Sequence, residues 1–188
     1  MKYCITLALL FLSLAVNAAT LHLPGDIELL ILDGKRVSSS LVRGAEQIEL
    51  NNGIHQIVLR VEKSFPHGAL THHYLSVPII ITFTTEATRH VTIQTPPINS
   101  THDAKLFDAH PTVELRNEHS QPLPATEDIL PIDNTLPADD INYEQLTRQY
   151  NLSGQKASLP DFTQRNAASP GAIRFSWLRP DRIRKVVQ

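Results

Sequence analysis

The chain has 188 residues, 19% of them charged and 6% aromatic, with a formal net charge of −2. A near-neutral balance with few rings argues against a nucleic-acid surface, which needs a basic field or stacking aromatics. The one cysteine, Cys4, excludes an intrachain disulfide framework, so the fold must rest on its core.

Met1-Lys2 opens on a positive charge, and Ile5 to Val16 is an apolar run broken only by Thr6 and Ser13. Val16-Asn17-Ala18 then offers the small residues that a signal peptidase reads. This pattern predicts a cleaved secretory signal over 1–18, removed after Ala18 together with Cys4. The run is shorter than the roughly 20 apolar residues of a membrane-spanning helix, and no second such run follows.

The next hundred residues read as strands. In Ile27 to Leu32, Ile27, Leu29 and Ile31 form one face and Leu30 and Leu32 soften the other, which predicts an interior strand. Asp33-Gly34 marks a tight turn, because glycine takes positive φ at little cost. Ser38-Ser39-Ser40 reads as a connector bonding to nearby backbone. Gln47 to Leu50 alternates polar and apolar, and Asn51-Asn52-Gly53 predicts a second hairpin. Ile57, Leu59 and Val61 then line one face, with Gln56 and Arg60 opposite. Pro78 opens PIIITFT, in which Ile79, Ile81 and Phe83 oppose Thr82 and Thr84. Proline at a strand start is compatible with an edge. His90 to Thr95 and Thr112 to Arg116 supply two further strands.

Pro122, Pro124, Pro131 and Pro137 mark 119–138 as an extended connector. Asp139-Asp140 is placed to cap a helix beginning near Ile141, with Tyr143, Leu146 and Tyr150 as its apolar stripe and Gly154 as its stop. Ile173 to Gln188 holds Trp177 and five basic residues. The expected fold class is mainly β: a β-sandwich over 19–118, then a short helical, partly irregular C-terminal segment over 139–188. Charge is uneven along it. Thr101 to Glu144 carries 2 Lys/Arg against 10 Asp/Glu, and Gln145 to Gln188 carries 8 against 2. Such asymmetry fits internal pairing, a tail that seeks an anionic partner, or a solvated surface.

The residues assemble no reaction. All nine histidines fall between His22 and His119, and His67, His72 and His73 share one expected loop, but no ligand spacing accompanies them. The serine run lacks a Gly-x-Ser-x-Gly elbow. Glu127-Asp128 and Asp139-Asp140 occupy connector and cap positions, and no glycine-rich phosphate loop occurs. The expectation is a non-enzymatic protein with no metal and no cofactor.

Two resemblances attach to these residues. ILDGK followed by IELNNGIHQIVLRVE resembles the strand–turn–strand pattern of PEGA-type envelope modules, an analogy of fold alone. More specifically, LLILDGKRVSSSLVRGAEQIELNNGIHQIVLRVEK, then FDAHPTVEL (Phe107 to Leu115), then YNLSGQKASLP (Tyr150 to Pro160) resemble, in order, the blocks of the YccT-like family of exported proteins, which carries the name curli synthesis inhibitor. The final sixteen residues depart from that family's aromatic-rich, helical end. The resemblance implies a periplasmic protein of a Gram-negative bacterium that restrains extracellular amyloid fibre production. It supplies no catalytic residues. The partner it implies is an amyloid fibre subunit. The alternative is a structural envelope module binding glycan or another envelope protein. For strand capture, the expected edge is PIIITFT, with Ile80, Thr82 and Thr84 as the partner-binding positions.

Overall fold

The computed structural model describes residues 18–37, 47–67, 70–133, 137 and 140–163, without the side chains of 67 and 70. The signal segment Met1 to Asn17, the serine run, Asp139 and the basic tail with Trp177 lie outside the described residues.

The protein is mainly β, built from two sheets. One has four strands in the order β4-β1-β8-β9: β1 (Ala19–His22), β4 (Gln47–Leu50), β8 (His90–Gln94) and β9 (Glu114–Arg116). The other runs β10-β7-β5-β2-β3: β2 (Ile27–Leu32), β3 (Lys35–Arg36), β5 (Ile54–His67), β7 (Ile79–Thr84) and β10 (Ala125–Ile129). A sixth strand, β6 (Leu70–Leu75), pairs with the far half of β5. Helices α1 (Thr101–Ala109) and α2 (Tyr143–Leu152) and a 3-10 turn (Pro160–Thr163) complete it.

The sheets share one apolar cluster. Leu21, Ile48, Val91, Ile93 and Leu115 of the smaller sheet meet Leu29, Ile57, Leu59, Val61, Ile79, Ile81 and Phe83 of the larger, and α1 adds Ala104 and Phe107. This is the expected sandwich. The back of the larger sheet is buried too: Leu30, Ile31, Val58 and Ile80 lie under Leu130, Ile141, Tyr143, Tyr150 and Ala157. A sheet covered on both faces needs strands that are apolar on both. The stripe expected on the C-terminal helix is the one used, with Tyr143 and Tyr150 buried and Leu146 packed beside them.

Several expectations are corrected. Asp33 (φ 49°) and Gly34 (φ 74°) do close a hairpin, between β2 and β3. Asn51-Asn52-Gly53 does not: β4 pairs with β1 in one sheet and β5 pairs with β2 and β7 in the other, so this turn carries the chain across the sandwich. Ile31 does not share a face with Leu29. The register slips at Leu30, Leu29 opposing Leu59 and Ile31 opposing Val58, and this bulge turns Ile31 to the outer cluster. Within the stretch read as a connector, Ala125 to Ile129 is strand β10, paired along β7. The C-terminal helix is capped by Asn142, not by the aspartates: its side-chain oxygen accepts from the Gln145 N–H at 3.0 Å. His72 and His73 lie on β6 and not in a loop. Helix α1 was not expected, although Ser100 and Asp103 form its N-terminal signature, the Ser100 hydroxyl accepting from the Asp103 N–H at 3.2 Å.

Candidate functional site

The strand expected to bind a partner is interior. β7 pairs with β5 along one side and, from Ile79 to Phe83, with β10 along the other, so Ile80 and Thr82 have no open edge beside them, while Thr84 lies one position past the β10 register. Ile80 is fully buried. The Thr82 hydroxyl donates to the Ala157 carbonyl at 2.8 Å, and that of Thr84 to the Gly53 carbonyl at 3.3 Å. The face taken as outward is therefore covered by the segment after α2. Three consecutive isoleucines were the available signal, since a strand with one solvated face alternates.

That cover is held by a polar network. Gln56 and Asn151, both buried, exchange two amide hydrogen bonds of 2.8 Å. Gln56 Nε2 also donates to the Ala157 carbonyl at 2.8 Å, and Asn151 Oδ1 accepts from the Leu159 N–H at 2.9 Å. The Tyr150 hydroxyl donates to Asp128 on β10 at 2.5 Å and accepts from the Ala157 N–H at 3.0 Å. Burial and the Asp128 carboxylate push that hydroxyl up to about 12. The first and third sequence blocks thus meet face to face. The middle block anchors α1: the Asp108 carboxylate accepts from the Tyr74 hydroxyl at 2.7 Å and from the Val77 N–H at 3.1 Å.

One histidine–carboxylate pair has its imidazole buried and its carboxylate partly exposed. His55 Nδ1 lies 2.9 Å from Asp33 Oδ2 and Nε2 lies 2.8 Å from the Asn51 carbonyl oxygen. A carbonyl only accepts, so Nε2 carries a proton, and Nδ1 facing a carboxylate carries another. Burial lowers the His55 pKa, but the Asp33 hydrogen bond and charge, with the Asn51 carbonyl, outweigh it and raise it overall. An imidazolium with both N–H groups engaged pins two turns together and has no lone pair with which to act as a base. Asp33 Oδ1 accepts from the Gln56 N–H at 3.0 Å, so the same carboxylate holds the turn to β5.

Two features stand out from this scaffold. One is a cleft of about 240 Å3 lined by Pro96, Pro97, Ile98, Asp103, Leu106, Phe107 and His110. Its carboxylate, Asp103, accepts from the Asn99 N–H at 3.0 Å as part of the helix start. The other is the hairpin of β5 and β6, which continues past the positions where β5 pairs with β2 and β7. Phe65 and Tyr74 bury one face of it in the core cluster that α1 joins, the Tyr74 hydroxyl reaching the Ala104 carbonyl, with His72 stacked on Phe65 at 5.5 Å between ring centroids. On the other face His73 Nδ1 meets the Ser64 hydroxyl at 2.9 Å. Among the described residues no group of three His, Cys, Asp or Glu is placed to hold a metal ion. No helix among them is long and apolar enough to cross a membrane.

The sequence profile of the family described as "Uncharacterized protein conserved in bacteria (DUF2057)" matches residues 20–174. The chain belongs to that family. It is 44% identical over 158 residues to the UPF0319 protein YccT of Escherichia coli K12 (DH10B), covering 84% of this chain and 71% of that protein. The UPF0319 proteins YccT of E. coli O157:H7 and of Shigella boydii serotype 18 match to the same extent, 44% identical over 158 residues. The three sequence blocks and these relatives thus point to the same YccT-like family. No solved structure matches this chain.

Proposed function

We propose that this chain is an exported, non-enzymatic binding protein of the periplasm that restrains assembly of curli-type amyloid fibres by capturing their subunits as extended strands. The observation that carries the reading is the β5–β6 hairpin, which continues past the pairing of β5 with β2 and β7 and is anchored by buried Phe65 and by the bond of Tyr74 to α1. The blocks that mark the family build the frame around that hairpin: the first runs into β5, the second anchors α1, and the third covers the back of the sheet. Amyloid growth proceeds by pairing of strand edges, so a protein that pairs once and offers no continuation terminates it. Export rests on the signal pattern over 1–18, and the curli-type subunit rests on the family resemblance.

The test is fibre formation by a purified curli-type subunit, followed by dye fluorescence. The mature protein at substoichiometric ratio is expected to lengthen the lag. An unchanged lag at equimolar protein disproves the reading. Intact mass from periplasmic extract is expected to correspond to a chain beginning at Ala19.

A further inference from the structure

The strand edges of this molecule are not alike. β3 is two residues long and both are basic. β10 follows Pro124 and carries Glu127 and Asp128. β9 is three residues long, and the returning chain pairs alongside it through Arg116 with Pro122 and the Leu123 N–H on the Leu115 carbonyl. β4 has four residues with Glu49 exposed. Short length, charge and proline are the means by which exposed edges are protected from pairing. β6 has none of them: Leu-Thr-His-His-Tyr-Leu is six residues without Pro, Gly, Lys, Arg, Asp or Glu. Among the described residues it pairs only with β5, and Thr71, His72, His73 and Leu75 are exposed.

The register says which groups face outward. Pro66 opposes Thr71, and proline has no N–H, so this cannot be a doubly bonded pair of the antiparallel ladder. Two positions along the same alternation, the Glu62 N–H turns away from β6 and donates to the Asp26 carbonyl at 2.8 Å. Both facts put Glu62–Leu75, Ser64–His73 and Pro66–Thr71 in the class whose backbone groups point away from the partner strand. Thr71, His73 and Leu75 therefore direct N–H and C=O groups out of the hairpin at two-residue spacing. The complement of that row is another extended backbone. The side chains flanking it are hydroxyl, imidazole and aliphatic, with no formal charge on β6 for a charged peptide to pair with.

We infer that the outer edge of β6 is the strand-capture site, and that its occupant is an extended, uncharged segment of a foreign polypeptide. This deepens the capture reading above and rests on it for the biological partner. Backbone pairing supplies the affinity, and the missing charge selects against acidic and basic strands.

The probe is a capped ten-residue peptide alternating Val with Ser and Gln, compared with a version carrying Glu at the polar positions. Residue-resolved amide hydrogen exchange is followed on the mature full-length chain. The uncharged peptide is expected to slow exchange at Thr71, His73 and Leu75 at least tenfold, and the Glu version to leave it unchanged. His73→Pro removes an outward N–H that the β5 ladder does not use, so its unliganded exchange elsewhere should match wild type while peptide protection is lost. The double variant Thr71→Lys with Leu75→Lys, which keeps every backbone group, is expected to lose protection as well. Protection on β4 or β10, equal protection by the Glu version, no protection at any edge, or protection arising from β6-to-β6 dimers of the protein itself overturns the assignment. If fibre lag lengthens while β6 stays unprotected, the site fails and the fibre reading stands. If β6 is protected while lag is unchanged, the site stands and the fibre reading fails.

Discussion

β6 and β7 are both six residues long and lie in the same sheet system, yet they have opposite fates. β7 is paired on both sides and buried on both faces, with Ile79 and Ile81 in the sandwich core and Ile80 under α2. β6 is paired on one side, and only Tyr74 of its described side chains is buried. The difference teaches that the composition of a strand reports its cover more directly than a proline at its start does. Ile-Ile-Ile needs two packed faces, and here the strand that has them also has neighbours on both edges. Thr-His-His needs neither.

Breaking β7 should cost most. Ile80→Ala empties a fully buried position of the outer cluster and is expected to lower unfolding stability by about 2–5 kcal/mol, read from urea denaturation. A loss below about 1 kcal/mol would mean that α2 does not cover this strand in solution.

The cover itself is broken next. Asn151→Ala orphans the buried Gln56 side-chain oxygen Oε1 and the Leu159 N–H, with an expected cost of about 1–3 kcal/mol. Proteolysis between Ser153 and Thr163 should accelerate in step, since that segment is held through these bonds. Unchanged proteolysis would show the network to be dispensable.

A smaller effect is set by pH. The folded-state pKa of His55 is raised above its ordinary 6.5, so its contribution is complete below that value and is lost as pH rises through the folded value. The urea midpoint of wild type is expected to fall on going from about pH 6 to above the raised value. Asp33→Asn, which keeps an acceptor for the Gln56 N–H and tolerates positive φ, should flatten that dependence. A variant with the wild-type slope would place the titration elsewhere.

The smallest effect sharpens the contrast from the other side. His73→Ala on β6 removes only an exposed side-chain bond to Ser64 and should change stability by less than about 0.5 kcal/mol. A loss as large as that at Ile80 would show β6 to be part of the core.

Much of this architecture could be read in advance, and the parts that could not have a common cause. The periodicity of Gln47 to Leu50, Ile57 to Val61 and His90 to Gln94 placed those strands, and Tyr143, Leu146 and Tyr150 placed α2, because each pattern is local. The edge assignment failed at Ile80 and Thr82 because an edge is a statement about neighbours, and the neighbour is β10, whose Asp128 opposes Ile80 from 48 positions downstream. The β10 segment looked like a connector since Pro122, Pro124 and Pro131 surround it. Yet Ala125 to Ile129 lies between them, and its backbone is free to pair.

The sequence by itself determined the family, the mainly β character, the Asp33-Gly34 turn and the inward faces of β5 and β7. These depend on side-chain alternation and on a glycine that accepts positive φ, both set within a few residues. Only the tertiary structure decided that Asn51 to Gly53 crosses between sheets, that the bulge at Leu30 turns Ile31 outward, and that β6 rather than β7 has an edge unpaired among the described residues. Each follows from burying two faces of one sheet at once, a condition satisfied by strands far apart in the chain.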